Sequence, residues 1–107
     1  MRAVAEAEPT PPSIAELVAQ GFGRSLIDAA VRSGSLVKIS PELVVTAGWV
    51  ERAVALIEEA GENGITVSAL RGSLETSRKY AVPLLEHLDR TGVTRRRGDV
   101  RTLRSPG

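Results

Sequence analysis

From Trp49 to Ala60 the apolar residues Val50, Ala53, Val54, Ile57 and Ala60 recur at helical spacing, with polar residues between them. The pattern predicts an amphipathic helix whose exit is flanked by Gly61 and Gly64. Ile65 reads as a strand of one or two residues. Thr66 can cap a short helix, Val67 to Leu74, with Val67, Leu70 and Leu74 facing inward. Glu75-Thr76 makes a turn, and Thr76 or Ser77 can cap the next helix. At about 100° per residue that helix places Ser77, Ala81, Leu84, Leu85 and Leu88 on one side. Lys79, Glu86 and Arg90 fall opposite, with Arg78 and Tyr80 on the flanks. Gly92 ends the helix, and Val93–Arg97 and Val100–Leu103 read as strands around Gly98-Asp99, a strong two-residue hairpin signal. Val100 and Leu103 do not share parity, which predicts a bulge in the last strand.

The first half of the chain repeats this order. Arg2 to Glu8 reads as the end of a helix, stopped by Pro9, Pro11 and Pro12. Ser13-Ile14-Ala15-Glu16 has the form of a capping box and starts a short helix to about Gln20, with Gly21 beyond it. A second helix is expected from Arg24 to Ser33, with Leu26, Ile27, Ala30 and Val31 on its apolar face and Gly34 at its end. Leu36–Ile39 and Leu43–Thr46 are β-rich runs around Ser40-Pro41-Glu42, a hairpin. Aligning Gly34 with Gly92 places Leu26, Ile27 and Ala30 on Leu84, Leu85 and Leu88, a weak internal repeat. The fold class expected is mainly α with small β hairpins, an α+β arrangement of tandem winged-helix modules. Residues 1–47 form the first module, its leading helix incomplete, and residues 48–107 the second. Ala47-Gly48 leaves almost no linker, so the modules are expected to pack together.

Composition narrows the chemistry. Aromatic residues are only 3% of the chain, so the core must be built of Leu, Val, Ile and Ala. The absence of Cys excludes disulfides and thiolate metal sites, and one His, His87, builds no zinc site alone. No apolar run approaches the ~20 residues that span a membrane. The first residues do not have the form of a secretion signal, and a cytoplasmic location is expected. No catalytic constellation and no Walker-type phosphate loop is present, so a binding function is expected and not an enzyme. Net charge is +1 but unevenly placed: residues 1–48 carry four basic against five acidic residues, and residues 68–107 carry nine against four. A local positive field of this kind suits a phosphate backbone.

The charge sits in two places. Ser77, Arg78, Lys79 and Tyr80 open the long helix, offering a hydroxyl, two cations and an aromatic ring beside free helix-start N–H groups. Tyr80 has the chemistry to stack on an unpaired base, and also that of a core-edge filler. Pro83 removes the donor to the carbonyl of Lys79; it either sets the basic first turn apart or is simply tolerated early in the helix. On the hairpin, Arg95, Arg96, Arg97, Arg101 and Arg104 gather five guanidinium groups. Strand alternation divides them between two faces, and which face meets a partner stays open. Asp99 reads as a turn residue and His87 as a polar surface group, while Arg71 and Gly72 lie on the preceding helix in reach of the same patch.

Three stretches carry a resemblance: Gly64-Ile65-Thr66-Val67, then Thr76 through Arg90 with its internal Pro83-Leu84-Leu85-Glu86, then Gly92-Val93-Thr94-Arg95-Arg96-Arg97-Gly98-Asp99-Val100-Arg101. Together they resemble the last winged-helix domain of the bacterial selenocysteine-specific elongation factors, the SelB family. The first half is similar, less specifically, to the preceding module, so the resemblance covers about residues 12 to 104. It implies an RNA-binding fragment that holds the selenocysteine insertion sequence hairpin of selenoprotein mRNA. It implies that Ser77, Arg78, Lys79 and Tyr80 start the RNA-facing helix, and that Arg95, Arg96, Gly98, Asp99 and Arg101 belong to the wing. Arg97 stands where an apolar residue is common, and would add a phosphate contact or coat the edge. The family also implies that GTP and magnesium, which this chain is not expected to bind, are held by an N-terminal part, and that ribosome and selenocysteyl-tRNA are met through the full-length factor. The sequence has no evident dimerisation helix, and a monomer is expected. Two rival readings of a winged helix are a DNA-binding transcriptional regulator and a module used only for protein contacts.

Overall fold

The computed structural model describes Val4 and residues 10–104. The helix end expected over residues 2–8 lies outside the described residues except for Val4, which is helical and fully buried. Among the residues described without a break from Thr10 onward, the first helix is α1, Ile14–Ala19. The Ser13 hydroxyl oxygen accepts from the Glu16 N–H at 3.1 Å and the hydroxyl donates to the Glu16 carboxylate at 3.3 Å, a close variant of the expected capping box. Helix α2 spans Arg24–Ser33, and strands β1 (Leu36–Lys38) and β2 (Val44–Thr46) pair antiparallel with Val37 opposite Val45. Ile14 N–H donates to the Glu42 carbonyl at 2.7 Å, tying the start of α1 to this hairpin.

The second module follows without a connecting residue. Thr46 ends β2 and caps α3 (Ala47–Ala60), its hydroxyl accepting from Trp49 N–H at 3.2 Å. One 3-10 turn, Gly61–Asn63, leads into β3 (Ile65–Thr66), α4 (Val67–Ser73) and α5 (Arg78–Arg90). Thr66 caps α4 as the sequence predicts, accepting from Ala69 N–H at 3.0 Å. Strands β4 (Thr94–Arg97) and β5 (Val100–Leu103) complete an antiparallel sheet in the order β3-β5-β4. Helix, strand, two helices and a two-stranded wing make the winged-helix arrangement, and the fold is α+β.

Helices α2, α4 and α5 close in one way. The N–H groups of Gly34, Glu75 and Gly92 turn back to the carbonyls of Val31, Gly72 and Asp89. The N–H groups of Ser35, Thr76 and Val93 reach one residue further back, to the carbonyls of Ala30, Arg71 and Leu88. This double closure needs a left-handed residue, and the φ values are 87° at Gly34, 55° at Glu75 and 79° at Gly92. Glycine takes that conformation freely; Glu75 does so against the clash of its Cβ.

Two clusters form the core, and the first hairpin belongs to both. Val4, Ile14, Leu17, Ile27, Leu36 and Val44 make the first. Ala53, Ile57, Ile65, Leu70, Leu74, Leu84, Leu85 and Leu88 make the second, together with Trp49 and with Ile39, Leu43 and Val45 of the hairpin. Successive strand residues point to opposite faces. Val44 therefore enters one core and Val45 the other, and both are fully buried. Each such side chain contributes about 1.5–3 kcal/mol on burial.

Three expectations are corrected. Leu26 is 52% exposed, because the buried stripe of α2 is narrow and centred on Ile27, with Ala30 and Val31 half-buried beside it. The last strand has no bulge: Thr94 to Arg97 pair in unbroken register with Leu103 to Val100. Parity fails there because the inward positions of this hairpin are Thr94 and Arg101, both buried, and not a pair of apolar residues. Ser77 is the N-cap residue of α5 but makes no capping bond through its side chain, and it is exposed instead of facing the core.

Candidate nucleic-acid interface

Helix α5 is held by its apolar stripe and presents its first turn. Ala81, Leu84, Leu85 and Leu88 are buried, as their spacing predicts, while Ser77, Arg78 and Lys79 are exposed. The Ser77 carbonyl accepts from the N–H groups of Tyr80 (3.1 Å) and Ala81 (2.9 Å). The earlier N–H groups of a helix have no partner within it, and here no Ser77 cap covers them. They add partial positive charge to that of Arg78 and Lys79. The helix runs unbroken through Pro83.

Tyr80 is half-buried and packs against the second core, with the Lys79 ammonium 5.5 Å from its ring centre. It lines a cleft between the modules, shared with Lys79, Pro83, Ser13, Glu16 and Glu42. The ring is thus a half-buried wall of the junction.

At the far end of α5, Asp89 organises the base of the wing. Its Oδ1 accepts from the Thr94 hydroxyl at 2.6 Å; its Oδ2 accepts from Arg101 Nε at 3.3 Å and Nη2 at 3.1 Å. The Arg101 side chain is 5% exposed. The charge of Arg101 is thereby spent inside the protein: the pair welds helix to sheet, and Arg101 leaves the set of cations open to a partner. Its sequence assignment to an RNA-facing wing is corrected on this ground.

The other wing arginines divide by pleat. Thr94, Arg96, Arg101 and Leu103 share one face, and Arg95, Arg97, Val100 and Thr102 the other. Arg95, Arg96 and Arg97 are all exposed. Arg96 Nε donates to the Gly98 carbonyl at 3.0 Å and so braces the turn, where Gly98 has φ 58°. Arg95 and Arg97, with Arg104, line a cleft opposite Glu58 and Glu62. The first turn of α5 and the Arg95 face of the wing therefore border different clefts. Arg71 is exposed on α4, where its backbone carbonyl serves the helix closure described above.

Residues 54–103 match the family model described as "Elongation factor SelB, winged helix". The second module belongs to the SelB family. The chain is also similar in fold to the crystal structure of a bacterial selenocysteine-specific elongation factor, EF-Sec, with a TM-score of 0.78 and 24% identity over 87% of this chain. The likeness takes in 16% of that longer protein, so this chain spans a small part of its length. The mRNA-binding domain of elongation factor SelB from E. coli, solved in complex with SECIS RNA, is similar over 77% of this chain and 69% of its own, with a TM-score of 0.68 and 26% identity. No curated protein sequence matches the chain.

In this SelB module the exposed members of the expected set are Ser77, Arg78, Lys79, Arg95, Arg96, Arg97, Gly98 and Asp99, with Arg71 and Arg104 beside them. Two residues that position the set had no sequence signal of their own. Asp89 holds the wing base, and Arg90 Nη2 donates to the Ile39 carbonyl of the first hairpin at 3.0 Å, strapping α5 to the first module. His87, earlier on the same helix, has its pKa lowered by burial and by the neighbouring Arg90 charge. Among the described residues no cluster of His, Cys, Asp or Glu could hold a metal ion, and no helix is long and apolar enough to cross a membrane.

Proposed function

We propose that the chain binds RNA, and that its second module recognises the selenocysteine insertion sequence hairpin of selenoprotein mRNA on behalf of a selenocysteine-specific elongation factor. The observation that carries this reading is the exposed first turn of α5. Arg78 and Lys79 stand exposed there in a module that matches the SelB family. The wing adds Arg95, Arg96 and Arg97 as phosphate-binding cations. A first turn is a narrow contact, suited to an RNA loop or bulge; the deep, narrow major groove of an A-form stem does not admit a helix. The half-buried Tyr80 ring lies beside it, an aromatic group of the kind on which an unpaired base stacks. In this reading the chain binds and does not catalyse, acts as a monomer in the cytoplasm, and leaves GTP, magnesium, selenocysteyl-tRNA and the ribosome to the full-length factor.

The test is a titration of the chain against a selenoprotein-message hairpin, the same hairpin with its loop sequence changed, and duplex DNA, at two salt concentrations. The proposal expects tightest binding to the native loop and a salt-dependent component common to all three. Equal affinity for the altered loop removes specific recognition, tighter binding to duplex DNA favours a DNA regulator, and no binding at all leaves a protein-contact module.

A further inference from the structure

We propose that the first module carries a second RNA-binding site, a cleft between α2 and the β1–β2 hairpin that takes the phosphodiester backbone of an RNA stem. It rests on the RNA-binding reading above and adds a surface to it. Arg24, Arg32 and Lys38 line the cleft over a floor that includes Ile27 and Val44, and Asp28 is the carboxylate in its wall. All three cations are exposed, and among the described residues none of them is in an ion pair or hydrogen bond. Three cations against one carboxylate leave an uncompensated positive charge, and the apolar floor lets that field reach outward.

The spacing favours a polyanion over a single ion. Arg24 and Arg32 sit at opposite ends of α2, about 12 Å apart along the axis at 1.5 Å per residue. That is too far to clamp one phosphate and suits several along one strand. The internal repeat supports the same reading, since the alignment of Gly34 with Gly92 sets Lys38 on the position of Arg96 in the second wing. The structure also joins the two surfaces. Lys38 lines the groove between the first hairpin and α5, together with Pro83, and Pro83 in turn borders the cleft of Lys79 and Tyr80. Glu86 in that groove, and Glu16 and Glu42 beside Lys79, interrupt the positive charge between the two ends. A hairpin would thus be held at its loop by the second module and along its stem by the first, with the junction kept clear of phosphate.

The experiment compares the full chain with its Arg24→Gln/Arg32→Gln/Lys38→Gln variant. The three positions are exposed, so the variant is expected to keep the parent's circular dichroism and melting temperature. Binding is measured to a loopless RNA duplex and to hairpins of native and altered loop, across a salt series. The variant is expected to lose about 10–100-fold affinity near 0.1 M salt for all three RNAs, and to lower the slope of log affinity against log salt by about 2. Loss of duplex binding without any loop preference in the parent chain supports the stem site and removes the hairpin-recognition reading. Loop preference in the parent with an unchanged salt slope in the variant overturns the stem site and leaves the first-turn reading standing.

Discussion

Replacing Asp89 by Ala tests the claim that the wing is held by a buried charge pair. The variant leaves the Arg101 guanidinium, 5% exposed, without its carboxylate, and removes the acceptor of the buried Thr94 hydroxyl. Removing one partner of a fully buried pair costs about 3–5 kcal/mol. The Asp89 side chain is 26% exposed, so water reaches part of the site, and the expected loss is reduced to roughly 2–3 kcal/mol. For a chain of this size that is a fall of about 10–20 °C in melting temperature. Urea unfolding gives the free energy and calorimetry the midpoint. The Arg101→Met variant keeps the buried stem without the charge and is expected to lose less stability than Asp89→Ala. The Asp89→Ala/Arg101→Met double variant is expected to be more stable than Asp89→Ala alone, because the orphaned guanidinium is gone. A loss below about 0.5 kcal/mol in Asp89→Ala would refute the reasoning, since surface pairs cost that little. Hairpin RNA affinity unchanged in Arg101→Met at a temperature where it is folded would confirm that Arg101 is structural; a marked drop would return it to the interface.

Other consequences follow from single positions. Gly64 has φ 74°, and a Cβ there would stand 2.9 Å from the Arg101 carbonyl oxygen, so Gly64→Ala is expected to cost about 2 kcal/mol or more in chemical denaturation. Glu75 occupies the left-handed closure of α4 at φ 55°, and Glu75→Gly is expected to raise stability by about 0.5–1 kcal/mol, an effect read by the same method. His87 is pushed below its usual 6.5, so its neutral form is favoured in the folded state. Its contribution to stability is complete above the unfolded value and is lost as pH falls through the folded one; urea midpoints taken down this range should fall less steeply in His87→Gln.

The sequence pattern reached the elements well because local rules set them. The period of α3, the Gly34 end of α2, the Thr66 cap and the Gly98-Asp99 turn are each decided by a few neighbouring residues. What it missed depends on contacts across distance. Arg101 looks like one more wing cation until strand register turns it inward onto Asp89, twelve residues earlier in the chain. Strand alternation together with an inward Thr94 is the signal that could have found it. Nothing local announces that Arg90 straps α5 to Ile39, or that Val44 and Val45 serve different cores. Tyr80 was legible as either a stacking ring or a core-edge filler, and it packs at the edge of the core with one side on the junction cleft. The exposed first turn followed directly from the leucine stripe, since burying Leu84, Leu85 and Leu88 fixes which way Arg78 and Lys79 look out.

The central claim is that this turn engages RNA. It is tested most directly by the hairpin affinity of the Arg78→Ala/Lys79→Ala variant against the parent chain, with helicity and melting temperature recorded for both. The account predicts a folded variant that binds the native-loop hairpin at least 10-fold more weakly, with a salt slope lower by about 1–2. A folded variant with parental affinity and slope would contradict it.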